Sequence, residues 1–352
     1  MTSIIYVGMD VHTTNYTLCC YSMEDDRFFA EVQVEPDAKN ILKYLARIEK
    51  QQSRDCRIVC GYEAGCLGYS LYHQLHAHGI DCVILAPTTM MTKPGKRIKT
   101  DRRDARLISK CLAFHTYSPV YIPTEVDDAV KEYIRMRDDA NSALARVKQQ
   151  IIAFCIRHGK IHDGKSYWTN KHLEWLSSLD LGNKILSEVL QEYLIRYYQL
   201  REQVDMYDMR INELAQAEPY RQKVEKLGCF RGIAAHTALS FCVEVGDFRR
   251  FATAQQFASY LGLVPGECSS GDKQQYTGIT KAGNSHLRKL LVETAQVFGR
   301  SATKSGKSVA LKERQAKCDS LTVAYADKAN ARLKKKYFKI AMRSKVNLSL
   351  IH

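Results

Sequence analysis

The stretch Ile4-Ile5-Tyr6-Val7-Gly8-Met9-Asp10 decides the fold of the first third of the chain, because it is an apolar run, typical of a buried strand, that ends in a carboxylate. A second run, Arg57-Ile58-Val59-Cys60-Gly61-Tyr62-Glu63, ends in the same way. Two more acids, Asp101 and Asp104, occur where a basic loop enters a predicted helix, and residues three apart share a helix face. Carboxylates in this arrangement are suitable ligands for two divalent cations that hold a phosphodiester. We therefore predict that these four acids form a metal-binding and catalytic site: Asp10, Glu63, Asp101 and Asp104.

The elements around these acids favour that interpretation. Taken singly, an Asp after a strand is more often a turn residue, and Asp-x-x-Asp at a helix start also suits the helix dipole. However, alternation and turn residues predict a three-stranded meander up to Val34, followed by a helix (38–51), the Glu63 strand, a helix (67–78) and a strand (82–85). This order is that of an RNase H-like α/β fold, with the first acid on the first strand and the second on the fourth.

The composition indicates a globular protein with a polyanionic partner. Of the 352 residues, 45% are hydrophobic and 26% are charged, and the formal net charge is +14. From Gly299 to His352 there are 14 Lys and Arg residues against three acids, and a second basic cluster surrounds Asp101 and Asp104. A basic run is often only a solvated face, but one that holds most of the net charge favours phosphate contacts.

The cysteines and the hydropathy pattern exclude several classes. Twelve cysteines occur without any C-x-x-C spacing, which argues against a zinc site or a disulfide framework. No basic segment followed by a long apolar stretch opens the chain, and no apolar run has the length of a membrane span. The sequence therefore predicts a cytoplasmic protein that does not contact a membrane.

The middle of the chain has a different pattern. Apolar residues recur in steps of three and four from Leu186 to Leu214, and a similar seam runs from Val130 to Phe154. These seams predict two long helices, at 126–156 and 185–215, that form an antiparallel hairpin or pair with a second subunit. We therefore expect three domains: an RNase H-like domain (1–120), a coiled-coil helical stalk (121–217) and a mainly α-helical domain (218–352).

The last domain contains two motifs that point to nucleic acid. The segment from Leu227 to Ala238 reads as helix, glycine-containing turn and helix, and it resembles a helix-hairpin-helix that binds phosphates through backbone amides. A polar loop, Cys268-Ser269-Ser270-Gly271, offers a hydroxyl close in sequence to several cations that could neutralise a phosphate under attack. The predicted nucleic-acid contacts in the whole chain are Lys99, Arg102, Arg103, Lys273, Lys281, Arg288, Lys289, Lys334, Lys335 and Lys336.

These motifs together resemble the DEDD transposases, which are insertion-sequence recombinases with a RuvC-like N-terminal domain and a C-terminal serine domain, related to the pilin-gene invertase. The residues that carry the resemblance span nearly the whole chain: Gly8-Met9-Asp10, Tyr62-Glu63-Ala64-Gly65, Lys99-Thr100-Asp101, Asp104-Ala105, Gly262-Leu263-Val264-Pro265, Ser269-Ser270-Gly271 and Thr280-Lys281-Ala282-Gly283-Asn284. The resemblance implies that the four acids bind Mg²⁺ and that Ser270 is the nucleophile that joins covalently to a DNA phosphate. It also implies guidance by a structured bridge RNA that pairs with donor and target DNA.

The serine and the acids lie more than 160 residues apart in sequence, so the expected active site is composite and the expected working unit is a dimer or tetramer. Similar proteins continue through another apolar helix after Tyr337, whereas this chain stops at His352, which implies a shortened last domain. Two alternatives stay open. One is a nuclease or junction resolvase that uses only the acids and water, and the other is a transposase-derived protein that binds nucleic acid without cutting it.

Overall fold

The computed structural model of the chain describes residues 3–52, 56–65, 67–90, 100–267, 275–300 and 306–344. It contains two compact units, Met1–Ile122 and Pro123–His352. Three of the predicted site residues lie outside the described residues: Lys99, Ser270 and Lys273.

The first unit is built on a five-stranded mixed sheet. Its strands are β1 (Ser3–Val11), β2 (Tyr16–Ser22), β3 (Arg27–Val34), β4 (Cys56–Glu63) and β5 (Asp81–Leu85), in the spatial order β3-β2-β1-β4-β5. The meander β1-β2-β3 is antiparallel, whereas β4 runs parallel to β1 and β5 runs parallel to β4. The helices of this unit are α1 (Ala38–Gln51), α2 (Ser70–Ala77) and α3 (Asp101–Phe114). The predicted order of strands and helices is confirmed, and this mixed α/β arrangement fits an RNase H-like domain.

One helix packs directly against the strand that carries the first acid. A Cβ at Gly8 of β1 would lie 2.0 Å from the carbonyl oxygen of Ala105 and 2.4 Å from the nitrogen of Ser109, both in α3. Real Cβ atoms do not come this close to backbone, so glycine at this position allows α3 to lie on the sheet. Helix α3 is therefore fixed against β1 at a point two residues before Asp10.

The second unit begins with two long antiparallel helices, α4 (Glu125–Arg157) and α6 (Lys184–Gln216), each of 33 residues. Tyr133 and Tyr207 contact at one end of the pair, and Phe154 and Tyr193 contact at the other. Their shared core includes Leu144, Val147, Ile151, Leu190 and Leu194. Both predicted long helices are present, and their supercoiling as a coiled coil stays a prediction. A short helix that the sequence analysis missed, α5 (Asn170–Ser177), lies in the connection.

The remaining elements of the second unit are mostly short helices. They are α7 (Arg221–Gly228), α8 (Ala235–Val245), α9 (Ala254–Tyr260), β6 (Pro265–Glu267), β7 (Tyr276–Ile279), α10 (Ser285–Arg300), α11 (Val309–Gln315) and α12 (Ser320–Ser344). A buried cluster that includes Phe241, Val245, Leu261, Leu287 and Leu290 joins α8, α10 and the end of α9. Within the described ranges, we find no helix with the length and apolar character needed to cross a membrane.

Candidate active site

The first two predicted ligands lie on neighbouring strands at the same edge of the sheet. Met9 of β1 is paired with Tyr62 of β4 in parallel register, and Asp10 and Glu63 are the residues that follow them. Neighbouring strands lie about 4.8 Å apart, and residues in the same register of parallel strands point to the same face. The Asp10 side chain is 14% exposed, whereas Glu63 is exposed.

Helix α3 brings the second pair of acids to this edge. One ligand atom each from Asp10, His12 and Asp101 lie within 4.8 Å of one another, although these residues come from two separate elements. The His12 Nε2 atom lies 3.2 Å from Asp10 Oδ2. Asp104, one turn after Asp101, is close enough to affect the protonation of Asp10. The structure therefore brings Asp10 and Asp101 together with Asp104 nearby, while neither Asp104 nor Glu63 belongs to the 4.8 Å group.

The electrostatics of Asp10 are those of a carboxylate that lacks sufficient positive charge. Burial raises the pKa of Asp10 most, the charge of His12 lowers it, and the negative charges of Asp104 and Asp101 raise it, so that the pKa is raised overall. Carboxylate oxygens are the ligands that hard divalent cations prefer, and a cation there would relieve the repulsion. The donor set therefore fits a divalent cation. We assign His12 as a hydrogen-bond partner of Asp10, because imidazole nitrogen is a poor ligand for such a cation.

His12 was not among the predicted site residues. Its position carried a usable signal, since residues i and i+2 of an extended strand point to the same face. His12 follows the last residue of β1, so its ring lies on the same side as the Asp10 carboxylate.

The basic residues around α3 are partly paired with an acid of β3. Glu31 accepts a hydrogen bond from Arg106 Nε at 2.6 Å and lies 3.3 Å from Arg102 Nε. Arg102 and Arg103 are exposed at the start of α3. A surface cavity of about 400 Å³ adjoins the acids and is lined by Thr17, Gln33, Thr100, Asp101 and Arg102. Arg102 and Asp101 therefore face one concave surface that has room for a polar ligand.

In the second unit, Ser269 and Ser270 belong to the connection between β6 and β7, which pair as an antiparallel hairpin. The motif that follows this hairpin packs closely on α9. A Cβ at Gly283 would lie 2.2 Å from Tyr260 O, and a Cβ at Gly262 would lie 2.2 Å from Ala282 O. The predicted serine therefore lies, in sequence, between two strands, and the segments that flank these strands pack closely on each other and on the end of α9. We call these flanking segments the base of the hairpin.

The predicted cations of this unit have different surroundings. Lys281 and Lys289 are exposed. Arg288 donates a hydrogen bond to Leu261 O at 2.8 Å, so its guanidinium links α10 to the end of α9. In α12, Lys335 and Lys336 are exposed and Lys334 is half-buried. Four of these six side chains are thus exposed, and the Arg288 guanidinium stabilises the fold.

Comparison with known proteins identifies two regions of similarity. A family model for DEDD-type IS110 proteins, described as "Transposase", matches residues 7–156, and a model described as "Transposase IS116/IS110/IS902 family" matches residues 225–314. The transposase for insertion sequence element IS1533 of Leptospira borgpetersenii is 32% identical, and the match covers 95% of each chain. The protein y4qE of Sinorhizobium fredii, described provisionally as a transposase, is 35% identical over 81% of this chain and 69% of its own. The transposase for insertion sequence element IS1111A of Coxiella burnetii is 26% identical over 72% and 71% of the two chains.

Proposed function

Because this chain belongs to the IS116/IS110/IS902 family of DEDD insertion-sequence transposases, we propose that it cuts and rejoins DNA through a covalent link between Ser270 and a DNA phosphate. The observation that carries the proposal is the grouping of Asp10 and Asp101, with Asp104 close enough to affect Asp10, at the edge of the sheet and inside the region that matches the DEDD family model. Its relatives are named as transposases, so its substrate is DNA.

In the proposed mechanism, Asp10, Asp101 and Asp104 would hold a divalent cation, Mg²⁺, and Glu63 would complete the set from the adjacent strand. When bound, such a cation polarises a phosphate and stabilises the charge that develops on its oxygens. The proximity of the acids supports this role, since the charges of Asp104 and Asp101 add to burial, the main cause, in raising the pKa of Asp10. Arg102 and Arg103, which are exposed beside the acids, hold the DNA backbone at this edge.

The serine supplies the covalent step. The Ser270 oxygen forms a bond to the scissile phosphorus and releases its proton, and one bridging P–O bond breaks to leave a DNA hydroxyl. Rejoining reverses the exchange: the hydroxyl of another strand attacks the same phosphorus and releases the serine. A serine hydroxyl is a weak nucleophile near neutral pH, so it needs help from a base, a metal site or a cationic pocket. Lys281 and Lys289 are the exposed cations that follow the serine hairpin.

We include a guide RNA in this proposal, as the resemblance implies. Base pairing would then choose the DNA sequence, and the protein would bind backbone shape and charge. The exposed cations of α12 suit such sequence-independent contacts, because lysine neutralises phosphates as a point charge.

The proposed working unit is a homo-oligomer. Helix α6 carries large apolar side chains that are exposed in the single chain: Ile185, Ile195, Met206 and Met209. Exposed apolar side chains along one helix favour self-association. Light scattering coupled to gel filtration measures the oligomeric state, and replacing Ile195 and Met209 with Asp should shift it towards the monomer.

The decisive experiment is a cleavage assay on element-end DNA with Mg²⁺, followed by trapping of protein–DNA adducts. Wild type should form an adduct, Ser270→Ala should form none, and the matched control Ser269→Ala should retain it. Asp10→Asn should abolish cleavage, whereas Asp81→Asn, which removes a carboxylate paired with Arg57, should not.

The same assay separates the alternatives. Free cut ends without an adduct would identify a hydrolase that uses the acids and water, and this outcome would contradict the role of Ser270. Binding without cleavage would identify a nucleic-acid-binding protein. An adduct that persists in Ser270→Ala would move the nucleophile to another residue.

A further inference from the structure

Glu244, the penultimate residue of α8, is the meeting point of several elements in the second unit. Its side chain is only 6% exposed. Arg135 of α4 donates to its Oε1 atom at 3.1 Å, and Asn284 donates to its Oε2 atom at 2.9 Å. His286 Nδ1 of α10 lies 3.3 Å from Oε1. One buried carboxylate thus contacts α4, α10 and the residue that precedes α10.

The charges around Glu244 are balanced. Burial alone would raise the pKa of Glu244, but contacts from His286 and Asn284 and the charge of Arg135 outweigh it and lower the pKa to about 2. A hydrogen bond to Asp138 and the contact with Glu244 raise the pKa of His286 to about 9. At neutral pH both partners are therefore charged, and the carboxylate is held by full ionic interactions.

Asn284 links this carboxylate to the base of the serine hairpin. Its backbone N–H donates to Tyr260 O at 2.9 Å, and the Tyr260 hydroxyl donates to the Glu244 carbonyl oxygen at 2.9 Å. Two further backbone bonds close the base, from Thr280 N to Val264 O and from Lys281 N to Gly262 O. Residues on both sides of the β6–β7 connection are thus tied, through Asn284, to one side chain of α8.

We propose that Glu244 is a positioning residue for the proposed reaction: it holds the base of the β6–β7 hairpin against α8 and α4, and Ser270 lies in sequence between these two strands. This inference rests on the proposed function, in which Ser270 attacks the DNA phosphate. Glu244 is buried, so it acts on the reaction through Asn284 and the hairpin. A nucleophile that is misplaced by about 1 Å loses on the order of a hundredfold in rate. A small shift of the hairpin base should therefore lower the reaction rate.

The first test measures the hairpin itself and does not depend on activity. Hydrogen exchange at the amides of Thr280 and Lys281 should quicken at least about tenfold in Glu244→Gln, because the negative charge that strengthens the bond from Asn284 is lost. Asp127→Asn is the matched control, since Asp127 accepts a hydrogen bond from Tyr220 and is half-buried in the same unit. Unchanged exchange in Glu244→Gln, or equal acceleration in Asp127→Asn, would overturn the proposal.

The second test measures adduct formation by the full chain on element-end DNA. In Glu244→Gln, the rate at saturating DNA should fall at least about tenfold, while the DNA concentration for half-maximal rate stays unchanged. A purely structural role would lower the active fraction in proportion to unfolding, so the folded fraction is measured by circular dichroism on the same sample. A loss of rate that matches the loss of folded protein would overturn the proposal.

A second variant keeps the test valid if Glu244→Gln folds poorly. Asn284→Ser retains an oxygen that can accept the Leu287 N–H, as Asn284 does at 2.9 Å, but it is too short to reach Glu244. It should accelerate exchange and slow adduct formation as Glu244→Gln does, and the double variant should be no slower than either single variant. Additive losses would show that Glu244 does not act through Asn284. If wild type forms no serine adduct, the proposed function fails, and hydrogen exchange still decides whether Glu244 fixes the hairpin.

Discussion

Substitution of Gly8 by Ala should damage both the stability and the metal site of the first unit. The new Cβ would lie 2.0 Å from Ala105 O, whereas ordinary contact begins at 3.4 Å, so α3 would have to retreat by about 1.4 Å. The three nearest atoms that it meets, in Ala105 and Ser109, belong to the α3 backbone, which cannot rotate away. The retreat would carry Asp101 and Asp104 away from Asp10, because these acids occupy the first turn of the same helix.

The expected losses of stability and of reaction rate follow from that displacement. Overpacking of a core costs about 1–3 kcal/mol, and a clash with rigid backbone belongs at the upper end. A loss of about 3 kcal/mol lowers the Tm of a unit of this size by roughly 10 °C. A 1 Å displacement of catalytic groups costs on the order of a hundredfold in rate. Differential scanning calorimetry, calorimetric titration with Mg²⁺ or Mn²⁺ and the cleavage assay measure the three effects.

The chain supplies a matched control in Gly61, which is paired with Gly8 in the register of β1 and β4. A Cβ at Gly61 would meet the ends of two leucine side chains at 2.8 Å, Leu112 Cδ2 and Leu85 Cδ1, which can rotate. Its nearest backbone atom, Val83 O, would lie at 3.0 Å, a much milder approach than the 2.0 Å at Gly8. Gly61→Ala should therefore cost much less stability and leave the metal affinity unchanged. If the two variants are equally stable and bind metal equally well, the packing of α3 on Gly8 does not set the geometry of the acids.

Two further predictions concern charge. The stability of the second unit should be highest between about pH 4.5 and 6.5. The lowered pKa of Glu244 gives stability that is lost as pH falls from its usual 4.5 towards 2, and the raised pKa of His286 gives stability that is lost as pH rises from 6.5 through about 9. Each shift corresponds to about 3 kcal/mol, shared between the contacting pair. Urea unfolding at several pH values measures the free energy of unfolding, and an identical pH dependence for wild type and Glu244→Gln would contradict the prediction. Replacing Lys334, Lys335 and Lys336 together with Ala should reduce the slope of log affinity against log salt by at most about 3 and weaken all DNA sequences alike. Fluorescence anisotropy at several salt concentrations tests this, and a loss confined to one sequence would show that these lysines read bases or an RNA fold.

The sequence predicted the fold well where the local pattern determines the structure. The meander β1-β2-β3 follows from alternation and turn residues, and helix α1 was predicted at its observed bounds, 38–51. The observed bounds of the two long helices also agree closely with the predicted ones, because apolar residues that recur in steps of three and four over many turns indicate a helix. Helix α2 begins at Ser70, three residues after the predicted start, because residues 67–69 form a turn.

The contacts of the sites could be predicted only in part. Asp10 and Asp101 were expected to meet because strand ends and helix starts are visible in sequence. By contrast, Asp138 and His286 are 148 residues apart and their nitrogen and oxygen lie 2.8 Å from each other. No periodicity connects these residues, since their contact depends on how α4 and α10 pack. The network of Asp138, Glu244 and His286 was therefore missed, as was the contact of His12 with Asp10.

The pKa is raised for Asp10 but lowered for Asp138 and Glu244. This difference helps to distinguish a ligand-binding group of acids from a structural one. Asp138 and Glu244 are surrounded by donors, and contacts from His236, His286 and Arg137 hold the pKa of Asp138 well below its usual range. A cation would have to displace these partners. Asp10 has a raised pKa because burial and two neighbouring carboxylates act on it against a single histidine. Perturbed acids gather at functional sites, but only an under-compensated set gains from binding a cation. We therefore propose that the group around Asp10 is the metal site, although the second cluster contains more histidines.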